Sequence, residues 1–349
     1  MNAPARLSSD VVKARAAAAG FDLCGIAPVD AFPELDFLRE WIGRGYHGEM
    51  GYMARTAERR ADVRAVLPSA AAVIMLGTVY NAERPYSASL TDPADAALAR
   101  YAWGDDYHVV IEDRMRELVA ALEEVAGPFE HRAYVDTGPV QERVYAKHAG
   151  LGWIGKNTCL INRELGSWLF LSAIICDLPL GADTPALDHC GRCTLCIDAC
   201  PTGAITAPYQ LDSRRCLSYL TIENKQQIAK EYRSATGAHA YGCDICQDVC
   251  PWNRRAAVTS DPHWQPRPGL DHPTLLALWN RSDSDLRALL KGSPMKRAGV
   301  RRLRRNLAVA IGNSGDAAAA DDLDRSDEDT ARDPLVREHV DWAVEKLGG

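Results

Sequence analysis

The sequence predicts an α+β fold in three parts, and two observations carry that prediction. Over residues 1–180, segments with helical periodicity alternate with short apolar segments typical of strands, whereas residues 270–349 have helical periodicity throughout. Residues 181–260 show little periodicity and hold eight of the eleven cysteines. We therefore predict an α/β domain at 1–180, a domain organised by cysteine ligation at 181–260 and a helical domain at 270–349.

In the first part, apolar residues either recur at helical spacing or run together as in a buried strand. Helices are predicted at Val11–Ala19, Pro33–Gly43 and Val109–Val125. Strands are predicted at Phe21–Ile26, Ala71–Val79, His131–Asp136, Trp153–Ile161 and Ser167–Ile175, with a turn at Asn162–Gly166 between the last two.

In the last part, two apolar stripes recur at helical spacing after the proline-rich linker Asp261–Asp271. One stripe is Leu303, Leu307 and Ile311, and the other is Val336, Val340, Ala343 and Leu347. Short helices packed as hairpins, in a HEAT-like arrangement, fit this pattern.

The overall composition is that of a globular protein, with 47% hydrophobic and 25% charged residues among 349. The longest apolar stretches, Ala70–Gly77 and Trp168–Cys176, are far shorter than the ~20 residues of a membrane-spanning helix. The first twenty residues resemble no secretion signal. We therefore predict a cytoplasmic protein without a membrane partner, and nothing in the sequence requires more than a monomer.

The cysteines form two runs that are typical of iron–sulfur ligation. The first run, Cys190-x2-Cys193-x2-Cys196-x3-Cys200-Pro201, has the full spacing of bacterial ferredoxins. The second run, Cys243-x2-Cys246-x3-Cys250-Pro251, lacks its first cysteine because Ala240 stands there, and Cys216 is the obvious substitute. A pair of zinc ribbons is the alternative, but zinc sites use isolated CxxC pairs and often histidine.

In ferredoxins the fourth cysteine of each run reaches the other cluster, and this crossing rule assigns the ligands. We predict a ferredoxin-like domain in which two [4Fe–4S] clusters take eight thiolates. The first cluster would take Cys190, Cys193, Cys196 and Cys250, and the second Cys200, Cys216, Cys243 and Cys246. The remaining three, Cys24, Cys159 and Cys176, are predicted to be structural thiols.

Four further motifs occur in order around the cysteine runs. They are Tyr101-Ala-Trp-Gly-Asp105-Asp-Tyr107-His108, Tyr134-Val-Asp136-Thr-Gly-Pro-Val-Gln141-Glu-Arg143, Ala149-Gly-Leu-Gly-Trp153-Ile-Gly155-Lys156-Asn157 and Lys296-Arg297-Ala-Gly-Val-Arg301-Arg-Leu-Arg304-Arg305-Asn306. Together with the double cysteine run, they resemble the epoxyqueuosine reductase family over nearly the whole chain.

The resemblance implies an oxidoreductase that reduces epoxyqueuosine to queuosine at the wobble position of a tRNA. It implies a cobalamin-binding N-terminal domain, recharged by the two clusters from an unidentified low-potential electron donor, and a relation to reductive dehalogenases. Asp136 becomes the candidate proton donor, although an aspartate before Thr-Gly-Pro could simply close a turn. The candidate cofactor contacts are Tyr101, Asp105, Tyr107, Gln141, Lys156, Asn157 and Ser218.

The net charge of −7 conceals a strongly basic segment. Lys291–Arg305 holds seven basic residues and no acid, which favours a phosphate-binding surface for the tRNA anticodon stem-loop, although such runs are usually solvated surface. The predicted tRNA contacts are Lys296, Arg297, Arg301, Arg304 and Arg305.

Two other functions stay open at this level. A reductive dehalogenase of a small organohalide would share cobalamin and clusters but would have no use for phosphate contacts. A ferredoxin-type electron carrier would need neither the Asp136 segment nor a domain large enough for a corrin.

Overall fold

The computed structural model describes residues 7–326 and 328–348. The α-helices are α1 (Ser9–Ala18), α2 (Pro33–Gly43), α3 (Gly51–Arg55), α4 (Ala57–Ala61), α5 (Tyr107–Ala126), α6 (Glu142–His148), α7 (Leu195–Asp198), α8 (Leu217–Ile222), α9 (Lys230–Arg233), α10 (Ile245–Asp248), α11 (Leu275–Trp279), α12 (Asp283–Leu290), α13 (Gly299–Ser314), α14 (Ala319–Asp324) and α15 (Pro334–Gly348). The strands are β1 (Leu23–Pro28), β2 (Ala72–Val79), β3 (Ala97–Leu98), β4 (His131–Val135), β5 (Trp153–Ile154), β6 (Leu160–Ile161), β7 (Leu169–Cys176), β8 (Ile205–Ala207), β9 (Gln210–Leu211) and β10 (His239–Tyr241). Within the described ranges, no helix is both long and apolar enough to cross a membrane.

The contacts divide the chain into two compact units, each made of three separate segments. The first unit contains residues 7–81, 107–194 and 251–259, and the second contains 82–106, 195–250 and 260 onward. These units do not coincide with the three predicted domains. The segment 82–106 joins the second unit because β3 pairs with β10 and because the main-chain N–H of Arg100 donates to Asp244.

The first unit is built on an antiparallel sheet with strand order β1-β2-β7-β4. The central strand β2 is buried along its whole length, as expected for a continuous apolar run. Helix α6 packs on β1, β2 and β7, and α5 packs on β4 and β7. Gly25 of β1 permits the close approach of α6, since a Cβ there would lie 2.1 Å from the carbonyl oxygen of Ala149.

Most predicted elements of this unit are confirmed, but the predicted strand Trp153–Ile161 is wrong. Its ends, β5 and β6, pair with each other as a short hairpin, and the intervening residues form a turn. Thr158 has a positive φ of 66°, and the main-chain N–H of Cys159 donates to Oδ1 of Asn157. The turn residues therefore satisfy their own hydrogen bonds and cannot continue a ladder.

The second unit has a helical core around α13, which packs against α11, α12, α15 and β10. The predicted stripe Leu303, Leu307 and Ile311 is buried, and so are Val336, Val340 and Ala343 of α15. Gly312 lets the two helices approach closely, since a Cβ there would lie 2.8 Å from that of Ala343.

Two arginines of the basic segment lie inside this core. Arg304 donates to Asp283 at 2.8 Å and to the carbonyls of residues 279 and 281. Arg305 donates to the carbonyls of Leu220, Asn224 and Gln226. Both side chains are inaccessible to solvent. The prediction that they contact tRNA is therefore corrected: their guanidinium groups bind the protein's own carbonyls, which would be unsatisfied without them.

Replacing Arg305 with methionine is expected to lower the free energy of unfolding by more than about 3 kcal/mol, because each carbonyl left without a donor costs ~1–3 kcal/mol. Arg301→Met is the matched control, since Arg301 is half exposed and pairs with Asp333 at the surface. Its effect should stay within about 1 kcal/mol. Urea unfolding measures both, and equal midpoints for the two variants would contradict the structural role of Arg305.

Candidate active site

The carboxyl group of Asp136 lies just beyond the end of β4 in the first unit, where two residues of α5 contact it. The phenol of Tyr107 donates a hydrogen bond of 3.1 Å to Oδ2 of Asp136, and Nε2 of His108 lies 3.5 Å from the same oxygen. The Tyr107 ring stacks on Phe170 at 4.4 Å, which fixes the direction of its hydroxyl group. The Asp136 side chain is still 58% exposed, so it can meet a ligand.

The main chain at Asp136 is held in a conformation that few residues adopt. Its φ is 57°, in the left-handed region, and its N–H donates a hydrogen bond of 2.8 Å to Oε1 of Glu142 at the start of α6. Between them, Gly138 passes over the ring of Tyr134, where a Cβ would lie 2.3 Å from Cγ. Strained conformations of this kind persist only where the surroundings determine them, and they concentrate at functional sites.

Glu142 is a second carboxyl group of this site that the sequence analysis missed. Burial raises the pKa of Glu142 to about 8, with the charge of Asp136 as the next cause. Its position six residues after Asp136, within the same motif, was the available signal. Burial and the Asp136 charge therefore both favour a protonated Glu142 carboxyl near neutral pH.

Three predicted cofactor contacts of the first unit have internal partners. Nε2 of Gln141 donates to the carbonyls of Leu35 and Arg60, both at 3.1 Å. Asn157 is buried in the hairpin turn. Nζ of Lys156 donates to carbonyls of the first cysteine run, so we do not propose Lys156 as a cobalamin contact.

The other three predicted cofactor contacts, besides Tyr107, lie in the second unit. The hydroxyl of Tyr101 donates to that of Tyr241 at 3.2 Å, and Oδ2 of Asp105 lies 2.9 Å from Nδ1 of His263. Ser218 lies on α8, two residues after Cys216. Their roles toward a cofactor stay predictions.

Three of the four thiols predicted for the second cluster lie together in the second unit. Burial raises the pKa of the Cys243 thiol, and the neighbouring thiols of Cys216 and Cys200 raise it further. The main-chain N–H of Ala204 donates to Sγ of Cys200 at 3.2 Å. Adjacent thiols that receive N–H hydrogen bonds are the donor set expected for an iron–sulfur cluster.

The first cysteine run begins against the β5–β6 hairpin in the first unit. Burial raises the pKa of the Cys190 thiol, whereas the main-chain N–H of Lys156 and the indole N–H of Trp153 lower it. Nε1 of Trp153 is buried and finds no oxygen or nitrogen acceptor among the described residues. A cluster sulfur would provide that acceptor, so the residues at Cys190 fit a [4Fe–4S] cluster.

None of the eleven cysteines forms a disulfide bond. Of the three outside the runs, Cys176 is buried, and burial raises the pKa of its thiol to about 11. Cys24 and Cys159 are half-buried, and burial raises the pKa of Cys24 to about 12. A thiol with so high a pKa is neutral and unreactive at physiological pH, which agrees with a structural role for Cys24 and Cys176.

The remaining predicted tRNA contacts lie at the surface of the second unit in ion pairs. Nζ of Lys296 lies 2.7 Å from Asp106, and Arg301 lies 2.8 Å from Asp333. Arg297 pairs with Glu223. Their side chains are 60%, 50% and 45% exposed in that order, so phosphate can reach them.

Comparisons with known proteins show which family this chain resembles. The family model "4Fe-4S double cluster binding domain" matches residues 189–253, and "Epoxyqueuosine reductase QueG, DUF1730" matches residues 60–137. The epoxyqueuosine reductase of Xanthomonas campestris is 42% identical over 342 residues, which cover 97% of this chain and 95% of that protein.

Two solved structures of epoxyqueuosine reductases are also similar. One, with an epoxyqueuosine-modified tRNA-Tyr stem loop, has a TM-score of 0.87 at 29% identity and covers 97% of this chain and 90% of its own. The other, from Bacillus subtilis, has its catalytic aspartate loop swung out of the active site; its TM-score is 0.86 at 28% identity, over 97% of this chain and 90% of its own. Because the 42% sequence identity to the Xanthomonas campestris protein extends over nearly the full length of both proteins, this chain belongs to the epoxyqueuosine reductase family of oxidoreductases.

Proposed function

We propose that this chain reduces epoxyqueuosine to queuosine at the wobble position of a tRNA, with cobalamin and two [4Fe–4S] clusters as cofactors. The observation that carries the proposal is the exposed Asp136 carboxyl, contacted by Tyr107 and His108 and held through its main chain by Glu142, in a chain that also carries the double cysteine run. The names of the relatives support the substrate, and the stem loop bound to one of them supports the RNA partner.

Conversion of an epoxide to an alkene removes one oxygen atom as water and consumes two electrons and two protons. Negative charge develops on the departing oxygen, which needs a proton donor within hydrogen-bond reach. We assign that proton to the Asp136 carboxyl, with Tyr107 holding the orientation of its Oδ2. Because Asp136 is largely exposed, solvent can return the proton after each turnover.

Cobalamin, when bound, would supply the low-potential cobalt centre that delivers electrons to the epoxide, recharged by the clusters. In the first unit, Tyr107, which contacts the exposed Asp136 carboxyl, would be one of the residues that hold the cobalamin. An unidentified low-potential donor would reduce the clusters. A tRNA substrate favours the cytoplasm, and the reaction requires only a monomer.

Asp136→Asn is expected to lower turnover at least about 100-fold, because a positioned general acid contributes ~10²–10⁴-fold. Mass spectrometry of tRNA nucleosides after reaction with the reconstituted enzyme measures the loss. Cobalt and iron contents should be unchanged, since Asp136 ligates neither metal in this proposal. Asp113→Asn, at the exposed side of α5, is the matched control. Undiminished turnover of the Asp136 variant would remove Asp136 from the acid role.

Glu142 links the stability of this site to pH. Its pKa is raised to about 8 in the folded protein, above the ordinary 4.5, so folding favours the protonated form. The stability that this preference contributes is complete below pH ~4.5 and is lost as the pH rises through about 8. A glutamine stays neutral at every pH, and its amide oxygen can still accept the Asp136 N–H.

Glu142→Gln is therefore expected to match the wild type in melting temperature at pH 4, to exceed it at pH 6 and to exceed it more at pH 8, because the two states differ in bound protons only between pH ~4.5 and about 8. Differential scanning calorimetry at the three pH values measures the divergence. Glu117→Gln, on the exposed side of α5, should follow the wild type throughout. Parallel curves for Glu142→Gln and the wild type would mean that Glu142 is ionised normally.

For the RNA, we propose Lys296, Arg297 and Arg301 as phosphate contacts of the second unit. Arg297 and Arg301 would exchange a partly exposed carboxylate for a phosphate, which costs little because such ion pairs contribute only ~0–1 kcal/mol. Lys296 is itself 60% exposed, but its partner Asp106 is buried, so Lys296 would add a phosphate contact while keeping that pair. The three positions lie within six residues, at the beginning of α13 and just before it.

The triple variant with methionine at these positions should bind the tRNA stem loop more weakly and with a shallower dependence on salt. Each lost phosphate contact lowers the slope of log K against log salt by roughly 0.7–0.9. Fluorescence anisotropy between about 50 and 200 mM salt measures the slope. Arg325→Met, an exposed arginine paired with Asp321, is the control. An unchanged slope in the triple variant would place the RNA elsewhere.

A further inference from the structure

The most unusual charged group outside the Asp136 site is the ammonium of Lys156. Lys156 is only 9% exposed and lies in the turn between β5 and β6. Its Nζ donates hydrogen bonds of 2.7 Å to the carbonyl of Gly191 and 2.9 Å to that of Cys193. A buried positive charge is thus held against the loop that contains the first two cysteines of the first run.

The same hairpin also buries an N–H group beside the first run. Nε1 of Trp153 is buried and has no hydrogen-bond partner among the described residues. The Trp153 ring is almost completely buried and is held edge-on between His189 and Trp252, with ring centroids 5.0 Å away in both cases. This packing holds the indole beside His189, the residue before Cys190, and a cluster sulfur would supply the acceptor that its N–H lacks.

One charged group opposes these contacts. The Asp188 carboxylate accepts the main-chain N–H of Cys190 at 2.6 Å, and its charge acts on the Cys190 thiol in the opposite sense. Asp188 is exposed, however, whereas Lys156 is buried. Because water screens an exposed charge much more than a buried one, the positive charge dominates at the loop.

We propose that Lys156 and Trp153 set the reduction potential of the cluster bound through Cys190 and Cys193, and raise it. The inference rests on the iron–sulfur part of the proposed function and is independent of the substrate. Reduction adds one electron to the oxidised cluster and makes the cluster with its thiolates one charge more negative. A nearby ammonium and N–H donors to sulfur both stabilise the more negative state, which shifts the potential upward.

The experiment is a dithionite titration of the cobalamin-free, cluster-loaded full chain, followed by electron paramagnetic resonance at low temperature. Lys156→Met keeps the apolar stem and removes the charge. We expect one of the two midpoint potentials to fall by at least about 59 mV. For a one-electron couple, this shift corresponds to a tenfold lower ratio of reduced to oxidised cluster at a given potential. The other cluster serves as the internal reference and should keep its potential.

Trp153→Phe removes only the indole N–H and should give a smaller fall in the same midpoint potential. If the Lys156→Met chain does not bind iron, the midpoint potentials of Trp153→Phe test the proposal in its place. Lys147→Met, whose ammonium pairs with Glu34 away from the cysteine loop, is the control and should leave both potentials unchanged.

Two results would overturn the proposal. One is an unchanged pair of potentials in a Lys156→Met chain with full iron content. The other, should that variant not load, is an unchanged pair in Trp153→Phe. Failure of the proposed function would give a different result. In that case the wild-type chain would hold two reducible clusters but would not convert epoxyqueuosine-modified tRNA. That result would refute the activity, and the effect of Lys156 on the cluster potential could still be measured.

Discussion

The satisfaction of main-chain carbonyls in irregular segments is the constraint on which both units of this structure depend. Cysteine-rich loops and short connections leave carbonyls that no helix or sheet can pair, and unsatisfied buried carbonyls are costly. Long cationic side chains pair them here. Arg305 binds three carbonyls around α8, Arg100 binds those of residues 82, 84 and 85, and Lys156 binds those of residues 191 and 193.

This constraint explains why charge along the sequence was a poor guide to charge at the surface. Lys291–Arg305 contains no acidic residue, yet the segment is not an unpaired basic surface. Acidic side chains from distant positions form ion pairs with some of its basic residues, and main-chain carbonyls in the interior accept hydrogen bonds from others. Arg304 and Arg305 belong to the core, whereas Lys296 and Arg301 belong to the surface. The spacing along α13 could not have distinguished them, since Arg305 lies four residues after Arg301 on the same face of the helix, yet Arg301 is exposed and Arg305 is buried.

Patterns that depend on a local physical cause were predicted well. The buried strand β2 and the amphipathic helix α5 follow from periodicity. What sequence could not provide was contact between distant positions. The Glu142 hydrogen bond to Asp136 depends on how the loop between them folds, and the assignment of 82–106 to the second unit depends on a two-residue pairing with β10. The break in the hairpin at Asn157 was visible only as a Gly-Lys-Asn-Thr turn within an apolar run.

The same constraint connects the framework of the protein to its redox chemistry. A loop that wraps a cluster turns its N–H groups toward sulfur and leaves its carbonyls facing away, so some other donor must reach those carbonyls. If that donor is a lysine, a positive charge necessarily lies behind the loop, and it stabilises the cluster more when the cluster is reduced. Holding the loop and raising the potential are then two consequences of one side chain. Lys156 is the residue of the first unit in which these consequences meet, and the buried indole of Trp153 adds a neutral N–H donor beside the same loop.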